Sequence, residues 1–519
     1  MWTYAPDLDE RTPNIILAGS SNVVPTARGG FRPAYFADVG GSNQPSYPAL
    51  AAACVGARYL LRNDGTDRLF AGTATKIYEA NQVAAYAWTD ESRAGDYSGV
   101  TQWMFDQYGP TSLAAASRGT HTEIQFSTGV VGTSFANLTN APKARIIVTQ
   151  DNALYAFDYD PAGTAFPDGW IRSDTGNITN WTTGSGECVS GTFTETPGDI
   201  TAAIKQGSGV VVFKDRGMWR GQYVGLPEVV RWELITPSVG CLGPLAVVNI
   251  DDVLYFADSN GFWIYDGSRP QKVTNGLEQE YRRSVATGVS TQDTRRCFIA
   301  VDDVYGVLYF FPFFVTGGSA SSFYSFNYVT GAWGPICTYF AGSTNSPFAI
   351  STPCPGTYNK LSVMPGINGG SVAPNNYVFD AFGKKLWNMS ESTITDTAGT
   401  ASHGCSIIPS LFGGNVHGSA ISRIYPDLSA HTLVGSAGAT TTATVTAYRR
   451  PFSGGYQQGN ATGTYSDALG YADVRASGNW YKLTLTSLVT GAAGNGTTVT
   501  QSFEWLGFEP EYAGSRPKN

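Results

Sequence analysis

Short runs of alternating apolar and polar residues, separated by Gly, Asn and Asp, recur along the chain from about residue 51. The clearest unit lies at 247–267 and reads VVNIDDVLYFADSNGFWIYDG. Alternation favours half-buried strands, and Asp, Asn and Gly favour tight turns. The unit therefore predicts three strands joined by turns at Asp251-Asp252 and Ser259-Asn260-Gly261.

Comparable hairpins are predicted at 61–72 and 144–160, with turns at Asn63-Asp64-Gly65 and Gln150-Asp151-Asn152. Helical periodicity is scarce, and the segment 276–285, GLEQEYRRSV, is predicted to form two or three helical turns. The pattern as a whole predicts an all-β protein.

An aromatic residue follows the hairpin turn in each of about six units, which indicates an internal repeat. These residues are Tyr78, Tyr155, Trp219, Trp263, Phe326 and Trp387. Most of the gaps between them exceed the ~40–50 residues that one propeller blade needs, so most units carry loop insertions. We expect residues 51–400 to form a β-propeller of about six blades.

The two ends of the chain have a different character. Residues 1–50 are punctuated by Gly and Pro and predict an extended arm that wraps the body or reaches a neighbour. Residues 401–519 contain long alternating strands separated by Gly, Ser and Asn. Their pattern fits either a closing blade or a separate β-sandwich.

Composition narrows the class of protein. Only 14% of the 519 residues are charged and 61 are Gly, a composition typical of proteins made of strands and turns. The net charge of -8 argues against a basic surface that would bind nucleic acid. The seven cysteines are scattered without a CxxC motif, so we expect buried free thiols from a reducing cytoplasm. The acidic N-terminus does not resemble a secretory signal, and the chain lacks an apolar run long enough to span a bilayer.

The stretch GWIRSDTGNITNWTTG at 169–184 comes near the Asp-box of sialidase-like propellers, Ser-x-Asp-x-Gly-x-x-Trp. Asp174-Thr175-Gly176 supplies the core, but Arg172 stands where the Ser belongs and Trp181 comes two residues late. We interpret the stretch as a structural turn. Asp174 is expected to bond its own loop backbone, Gly176 to take a positive φ, and Trp170 and Trp181 to anchor the flanking strands.

Other candidate sites are weaker. Adjacent residues on a strand point to opposite faces, so Asp251-Asp252 and Asp302-Asp303 are expected in turns rather than in acid-base catalysis. Three further aspartates, Asp158, Asp160 and Asp168, are expected in a solvated Gly/Pro loop, and a calcium site there is the less favoured alternative. The four histidines offer at most a zinc site with too few closely spaced ligands, although His403 lies two residues from Cys405. The histidines are His121, His403, His417 and His431.

No catalytic, cofactor-binding or metal-binding residue is therefore assigned, and we do not expect an enzyme. The residues singled out are structural markers of the blades. They are Asp174, Gly176, Trp181, Trp219, Gly261, Trp263 and Trp387.

Several phrases in their order along the chain resemble β-propeller tail proteins of tailed bacteriophages, in particular the tail nozzle, or tail accessory factor, of short-tailed phages. The match includes RLFAGTATKIYEA, GWIRSDTGNITNWT and FEWLGFEPEYAGSR, and it is weakest in the arm and around 340–400. The matching phrases lie at 68–80, 88–109, 136–157, 169–182, 198–225, 238–267, 475–486 and 503–516.

The resemblance implies a virion structural protein, made in the cytoplasm of a host bacterium. Members of the family form rings, often six-fold, below the portal and adaptor proteins, and these rings can hold fibres or tailspikes. Genomic DNA passes through without specific binding, so we expect a neutral to acidic lumen and no membrane insertion. Two alternatives are a receptor- or carbohydrate-binding propeller at the tail tip, with glycan degradation as a variant, and a kelch-like interaction module unrelated to phages.

Overall fold

A computed structural model gives the fold. It describes residues 1–34, 37–38, 48–61, 67–81, 87–119, 123–129, 132–161, 163–289, 294–302, 305–312, 314–315, 319–320, 322–338, 350–353, 377–380, 386–388, 402–413, 419–434, 439–449, 457–466, 469–490 and 500–513. The protein is all-β, as the alternating pattern predicts.

The N-terminal arm contributes five short strands. They are β1 (Thr3–Tyr4), β2 (Ile15–Ile16), β3 (Val23–Pro25), β4 (Phe31–Pro33) and β5 (Ala37–Asp38).

Five four-stranded antiparallel meanders follow and form blades 1 to 5 of the propeller. Blade 1 is β6 (Gly56–Leu61), β7 (Asp67–Gly72), β8 (Ile77–Asn81) and β9 (Ala87–Asp90), and blade 2 is β10 (Val100–Tyr108), β11 (Ser112–Gly119), β12 (Gln125–Ser127) and β13 (Ala136–Asn137). Blade 3 is β14 (Lys143–Gln150), β15 (Ala153–Asp160), β16 (Phe166–Arg172) and β17 (Val189–Thr192). Blade 4 is β18 (Ile200–Gln206), β19 (Gly209–Lys214), β20 (Met218–Gly225) and β21 (Val229–Thr236), and blade 5 is β22 (Val247–Ile250), β23 (Val253–Asp258), β24 (Gly261–Tyr265) and β25 (Gln271–Lys272).

The helix α1 (Glu278–Val289) and a 3-10 turn (Thr294–Arg296) lead into blade 6. The helix begins two residues later and ends four residues later than the predicted segment 276–285. The next strands are β26 (Phe298–Asp302), β27 (Val307–Phe311), β28 (Phe314–Val315), β29 (Ser319–Ala320), β30 (Ser322–Asn327), β31 (Ala332–Trp333) and β32 (Cys337–Thr338). Blade 6 consists of β26, β27, β30 and β31, with β32 paired to β30, so the predicted number of about six blades is confirmed. The predicted units differ from the blades in two places, because blade 2 contains none of the aromatic markers and Trp387 lies in a different sheet.

A further sheet closes the ring of blades. Its strands, in the order β28-β29-β33-β34-β35-β5, include β33 (Ile350–Pro353), β34 (Tyr377–Asp380) and β35 (Leu386–Asn388). The innermost strand of each blade contacts that of the next, and β33 contacts both β26 and β6. We call this the closing sheet. Its outer edge is β5 of the N-terminal arm, which pairs with β35.

The C-terminal strands form a separate, nearly closed sheet. These strands are β36 (Ser402–Ile407), β37 (Phe412–Gly413), β38 (Ser419–Val434), β39 (Ala439–Tyr448), β40 (Gln457–Ser466), β41 (Tyr471–Gly478), β42 (Trp480–Thr490) and β43 (Thr500–Ala513). The sheet order is β3-β4-β43-β38-β41-β40-β39-β42-β36, with β37 paired to β42. The arm strands β3 and β4 thus extend this sheet, while β5 completes the closing sheet.

One large core joins the arm, blades 4 to 6 and the C-terminal sheet. Trp505 of β43 is fully buried, and its ring lies 4.9 Å from that of Trp2 in the arm. Arg32 of the arm reaches blade 6, where its guanidinium lies 3.6 Å from the buried carboxylate of Asp302 and donates to Tyr309 at 3.2 Å. The arm therefore holds the propeller and the C-terminal sheet together.

Polar side chains also link the innermost strands of neighbouring blades, or the turns that follow these strands. The Asp106 carboxylate lies 3.8 Å from Arg58 of blade 1 and accepts the backbone N–H of Thr149 of blade 3 at 2.6 Å. Asp252 of blade 5 accepts the backbone N–H of Gly207 of blade 4 at 3.0 Å. Charge-assisted bonds of this kind fix the angle between blades because each needs defined geometry.

The predicted hairpin turns can be compared with the backbone. Asp151 and Asn152 both have φ of 52°, and Asp251 and Asp252 have φ of 49° and 66°, which is the left-handed pair of a type I′ turn. These two turns are confirmed. The proposed turn at Asn63-Asp64-Gly65 lies outside the described residues, although β6 and β7 pair on either side of it. Among the described residues, no helix is long and apolar enough to cross a membrane.

Candidate functional site

The loop 173–188, which joins β16 to β17 in blade 3, contains the Asp-box-like stretch. Asp174 Oδ1 accepts the backbone N–H of Glu187 at 2.8 Å, and Oδ2 accepts from Asn180 Nδ2 at 3.3 Å. The hydrogen bond from Glu187 holds the pKa of Asp174 below its ordinary value, so the carboxylate stays ionised. Gly176 has φ of 73° and donates its N–H to Asn152 at 2.8 Å. Both expectations for this turn are confirmed.

The two tryptophans that flank this turn enter different cores. Trp170 is buried between blades 3 and 4, with its ring 5.2 Å from Trp232 and 6.4 Å from Phe193. Trp181 is buried between blades 2 and 3, where its Nε1 donates to the carbonyl of Ile178 at 2.7 Å. Trp170 anchors the strand β16, as predicted, whereas Trp181 anchors the loop itself rather than a flanking strand.

A polar cluster around Arg172 was missed by sequence reasoning. The side chain is fully buried, with Nε donating to Tyr155 at 3.2 Å and Nη1 donating to the carbonyls of Ser173 and Glu187, each at 3.1 Å. Nη2 donates to Thr175 Oγ1 at 2.7 Å. Arg172 occupies the Ser position of the Asp-box, and that departure from the motif is the one signal in the sequence from which the cluster could have been found.

Glu187 completes this cluster with a partner from blade 4. Its carboxylate accepts hydrogen bonds from Thr175 Oγ1 and, at 2.7 Å, from the hydroxyl of Tyr223. These bonds lower the pKa of Glu187 and raise the pKa of Tyr223. At neutral pH the carboxylate is ionised and the phenol is protonated, so the pair holds blades 3 and 4 together rather than supplying a nucleophile.

The remaining blade markers do not converge with these residues. Trp219 is buried between blades 3 and 4 and donates from Nε1 to Thr196 at 3.2 Å. Gly261 donates its N–H to Asp258 at 2.8 Å in the turn of blade 5, and Trp263 packs half-buried on the core. Trp387 lies in β35 opposite Val378 and Asp38, and its side chain is outside the described residues. The markers are spread over three blades and the closing sheet.

The paired aspartates also serve the backbone. Asp251 and Asp252 form the β22–β23 turn, and Asp252 binds blade 4 as described above. Asp302 ends β26 and is buried against Arg32 and Tyr309, while Asp303 lies outside the described residues. The side chains of all four histidines lie outside them as well. Cys405 is buried, as are the other five cysteines that the structure describes.

The expectation that Asp158, Asp160 and Asp168 share a solvated loop is wrong. Asp158 and Asp160 belong to β15, and Asp168 belongs to β16. The β15–β16 pairing shifts register beside Asp158, whose φ is 48°, and its side chain is buried against Arg145. Burial raises the pKa of Asp158 to about 6, although Arg145 opposes the shift. Among the described residues no three His, Cys, Asp or Glu side chains form a group that could hold a metal ion.

The described residues do contain a cleft of about 480 Å³ between blades 2 and 3. Its lining includes Trp181 and Tyr159, the apolar Ile171, and the charged residues Glu123, Lys143 and Asp160. Residues 123 and 143 also form a backbone bridge between the two blades. A volume in the ~300–1,000 Å³ range, aromatic walls and a few polar groups are the properties of small-molecule sites. This cleft is the candidate binding site of the propeller.

Comparisons with known proteins add little to this geometry. No protein-family model and no curated protein matches the sequence. Among solved structures, the chain is similar to PorZ, an essential bacterial surface component of the type-IX secretion system of Porphyromonas gingivalis. The two are 12% identical with a TM-score of 0.37, over 75% of this chain and 45% of PorZ, so the chain spans less than half of that structure.

Proposed function

We propose that the chain is a structural subunit of a bacteriophage tail, where copies assemble into a ring that continues the DNA-ejection channel. The observation that carries this proposal is the ordered set of tail-protein-like phrases, which runs through 68–267 and resumes at 475–486 and 503–516. These phrases fall on strands of blades 1 to 5 and on β41, β42 and β43. The resemblance therefore extends over five of the six blades and over part of the C-terminal sheet.

The N-terminal arm supports a role in a particle. Its strands β3 and β4 extend the C-terminal sheet, and β5 completes the closing sheet. Side-chain contacts add to this pairing, because Trp2 packs on Trp505 of the C-terminal sheet and Arg32 forms an ion pair with Asp302 of blade 6. A chain held together in this way keeps one shape, which a ring subunit needs if every copy is to make the same contacts.

The tip of the β20–β21 hairpin is the surface that we assign to the contact with the next copy. Tyr223, Val224 and Leu226 are 39%, 42% and 68% exposed there. Exposed apolar clusters and aromatic residues mark protein interfaces, and a cyclic ring requires lateral contacts of this kind. Tyr223 is also fixed by its bond to Glu187, so part of the surface is already ordered.

The other partners in this proposal are portal or adaptor proteins above the ring and fibre or spike proteins at its edge. The net charge of -8 supports a lumen that lets DNA pass without binding, because affinity for DNA grows with the number of phosphates that cations neutralise. The proposal gives no residue a catalytic role.

The oligomeric state of the purified full-length chain tests the proposal. Native mass spectrometry and negative-stain electron microscopy should show a closed ring, expected to be six-fold, with a central hole. Isolated propellers at every protein concentration would contradict it. A ring lined by Arg and Lys along its hole would contradict the neutral to acidic lumen while leaving the ring intact.

A further inference from the structure

The cleft between blades 2 and 3 is built by segments from five places in the chain. Glu123 precedes β12, and 140–143 link the two blades. Tyr159 and Asp160 end β15, Ile171 lies in β16, and Trp181 comes from the loop 173–188. The Asp-box-like loop therefore has a second consequence besides its turn, because it places the Trp181 ring at the wall of the cleft.

The aromatic part of the cleft is held rigidly. Trp181 is 92% buried, with its Nε1 bound to Ile178, so its exposed edge has a fixed position. The Tyr159 ring stacks on Phe166 with a centroid distance of 5.9 Å and an angle of 26°. Trp181 therefore adds an apolar edge to the wall of the cleft, and the half-buried Tyr159 ring is the flat aromatic group. An ordered ring of this kind suits the C–H face of a pyranose ring, since binding costs little side-chain entropy.

The polar part of the cleft offers two carboxylate acceptors, one with a buried oxygen atom and one exposed at the rim. The Asp160 Oδ1 atom is buried and accepts no hydrogen bond from the residues that the structure describes. Glu123 is 39% exposed at the rim, where its carboxylate lies 3.7 Å from Arg93. A buried acceptor without a partner gains most from a ligand that brings hydroxyl donors, because its desolvation has already been incurred.

The balance of charge selects a neutral ligand. The lining includes two carboxylates, Glu123 and Asp160, and the amine of Lys143, and Glu123 is also paired with Arg93. The charges therefore balance, so a charged ligand would leave one of them in excess, and a purely apolar ligand would leave Asp160 Oδ1 unsatisfied. Hydroxyl groups donate to carboxylates and also accept from an amine, so a polyhydroxylated molecule satisfies both.

We propose that this cleft binds a neutral oligosaccharide. One sugar ring stacks against Tyr159 and contacts the exposed edge of Trp181, its hydroxyls donate to Asp160 and Glu123, and another hydroxyl accepts from Lys143. The site stands on the geometry of blades 2 and 3 and does not depend on ring assembly or on a role in a phage tail.

Two neutral trisaccharides, maltotriose and triacetylchitotriose, serve as probes for the wild-type chain, with 3′-sialyllactose as the anionic comparison. Saturation-transfer NMR and isothermal titration should give saturable binding of at least one neutral probe, with a Kd on the order of 1 mM or tighter. Binding of 3′-sialyllactose should be weaker than that of the neutral probe.

Two variants test where the sugar lies. Asp160→Asn, which keeps the size of the side chain, should weaken binding by about tenfold, as expected for the loss of a hydrogen bond to a charged acceptor. Glu228→Gln, an exposed carboxylate on the β20–β21 hairpin, is the matched control and should leave the Kd unchanged. Thermal midpoints of both variants within a few degrees of the wild type show that the fold is retained.

Three results would overturn the proposal. They are no saturable binding of either neutral trisaccharide at about 10 mM, which is roughly tenfold above the expected Kd; an unchanged Kd in a folded Asp160→Asn variant; and tighter binding of 3′-sialyllactose than of both neutral probes. A monomeric chain that still binds the neutral probe would contradict the ring and leave the cleft proposal standing.

Discussion

The carboxylate of Asp174 and the backbone N–H of Glu187 lie 2.8 Å apart and join two positions separated by 13 residues. This bond brings Glu187 back beside Arg172, which donates to its carbonyl, and beside Tyr223 of blade 4. The same loop sends Trp181 into the core between blades 2 and 3. One turn thus connects three blades, and the near match to an Asp-box reflects that structural task.

Alanine substitutions at Gly184 and Gly186 should separate backbone strain from damage to this bond. Both glycines have positive φ, 84° and 62°, but an added β-carbon at Gly184 meets open space while one at Gly186 would lie 2.5 Å from Asp174 Oδ1. Gly184→Ala should cost about 1 kcal/mol of unfolding free energy from strain alone. Gly186→Ala should cost about 2–4 kcal/mol, because Asp174 must move and lose its hydrogen bonds. Urea unfolding measures both.

A double variant supplies the control for that difference. With Asp174→Ala already present, Gly186→Ala should add only the cost seen at Gly184, since the clashing carboxylate is gone. Equal costs for the two glycines in the wild-type background, or full additivity with Asp174→Ala, would show that the loop does not depend on this contact.

Asp158 should give the protein a distinctive pH dependence. Its folded pKa of about 6 exceeds that of the unfolded chain, so between these values the folded state holds a proton that the unfolded chain releases. Its contribution to stability is therefore present at low pH and is lost as the pH rises through about 6. Asp158→Asn removes this titration and should stabilise the protein by about 2 kcal/mol at pH 7 but not at pH 4. Unfolding midpoints across that range measure the effect.

Asp90 is the matched control for this titration because its shift has the opposite sign. Burial opposes ionisation there, but hydrogen bonds from Lys76 and Ser92 lower the pKa of Asp90 below its ordinary value. Its contribution is present at neutral pH and is lost as the pH falls, so Asp90→Asn should destabilise at pH 7 and converge with the wild type in acid. Parallel pH profiles for the wild type and Asp158→Asn would contradict the buried, proton-binding state of Asp158.

The sequence predicted those parts of the fold that depend on residues close to one another along the chain. Asp251-Asp252 and Gly176 adopt the backbone conformations that their residue types favour locally, so their turns could be read from short stretches. The repeat of alternating strands predicted the number of blades for the same reason, although it missed blade 2 and counted the strands around Trp387 in its place. In contrast, the burial of Asp158 depends on a register shift and on Arg145 from another strand, and neither has a local signal.

Long-range partners account for the other omissions. The pairing of β5 with β35 brings together Asp38 and Trp387, and the sequence of neither strand predicts this pairing. The Arg172 cluster likewise combines Tyr155, Glu187 and Tyr223 from three segments. The cleft was invisible for the same reason. Its residues belong to five segments, and only their arrangement in space makes them a candidate site.

The two blade markers Trp219 and Trp263 should differ in their importance for stability. Trp219 is buried, its ring lies 5.1 Å from that of Phe193 in a tilted arrangement, and it donates to Thr196, whereas Trp263 is half-buried at the edge of the core. Trp219→Ala should cost about 3–5 kcal/mol, the usual penalty for a large cavity, and Trp263→Ala about 1–3 kcal/mol. Thermal and urea unfolding provide the comparison. A larger loss at Trp263 would contradict the assignment of Trp219 as the main anchor between blades 3 and 4.

The exposed hairpin tip should control ring assembly without affecting the fold. Leu226→Asp and Val224→Asp place charge on a surface that is desolvated when two copies meet, so each should weaken association by at least about tenfold, or roughly 1.4 kcal/mol per contact. Leu469→Asp is the control, because Leu469 is 59% exposed in the turn that precedes β41 of the C-terminal sheet. Analytical ultracentrifugation should show loss of the ring for the two hairpin variants alone, at unchanged thermal midpoints. If Leu469→Asp dissociates the ring while the hairpin variants leave it intact, the lateral contact lies in the C-terminal sheet and the ring proposal needs a different interface.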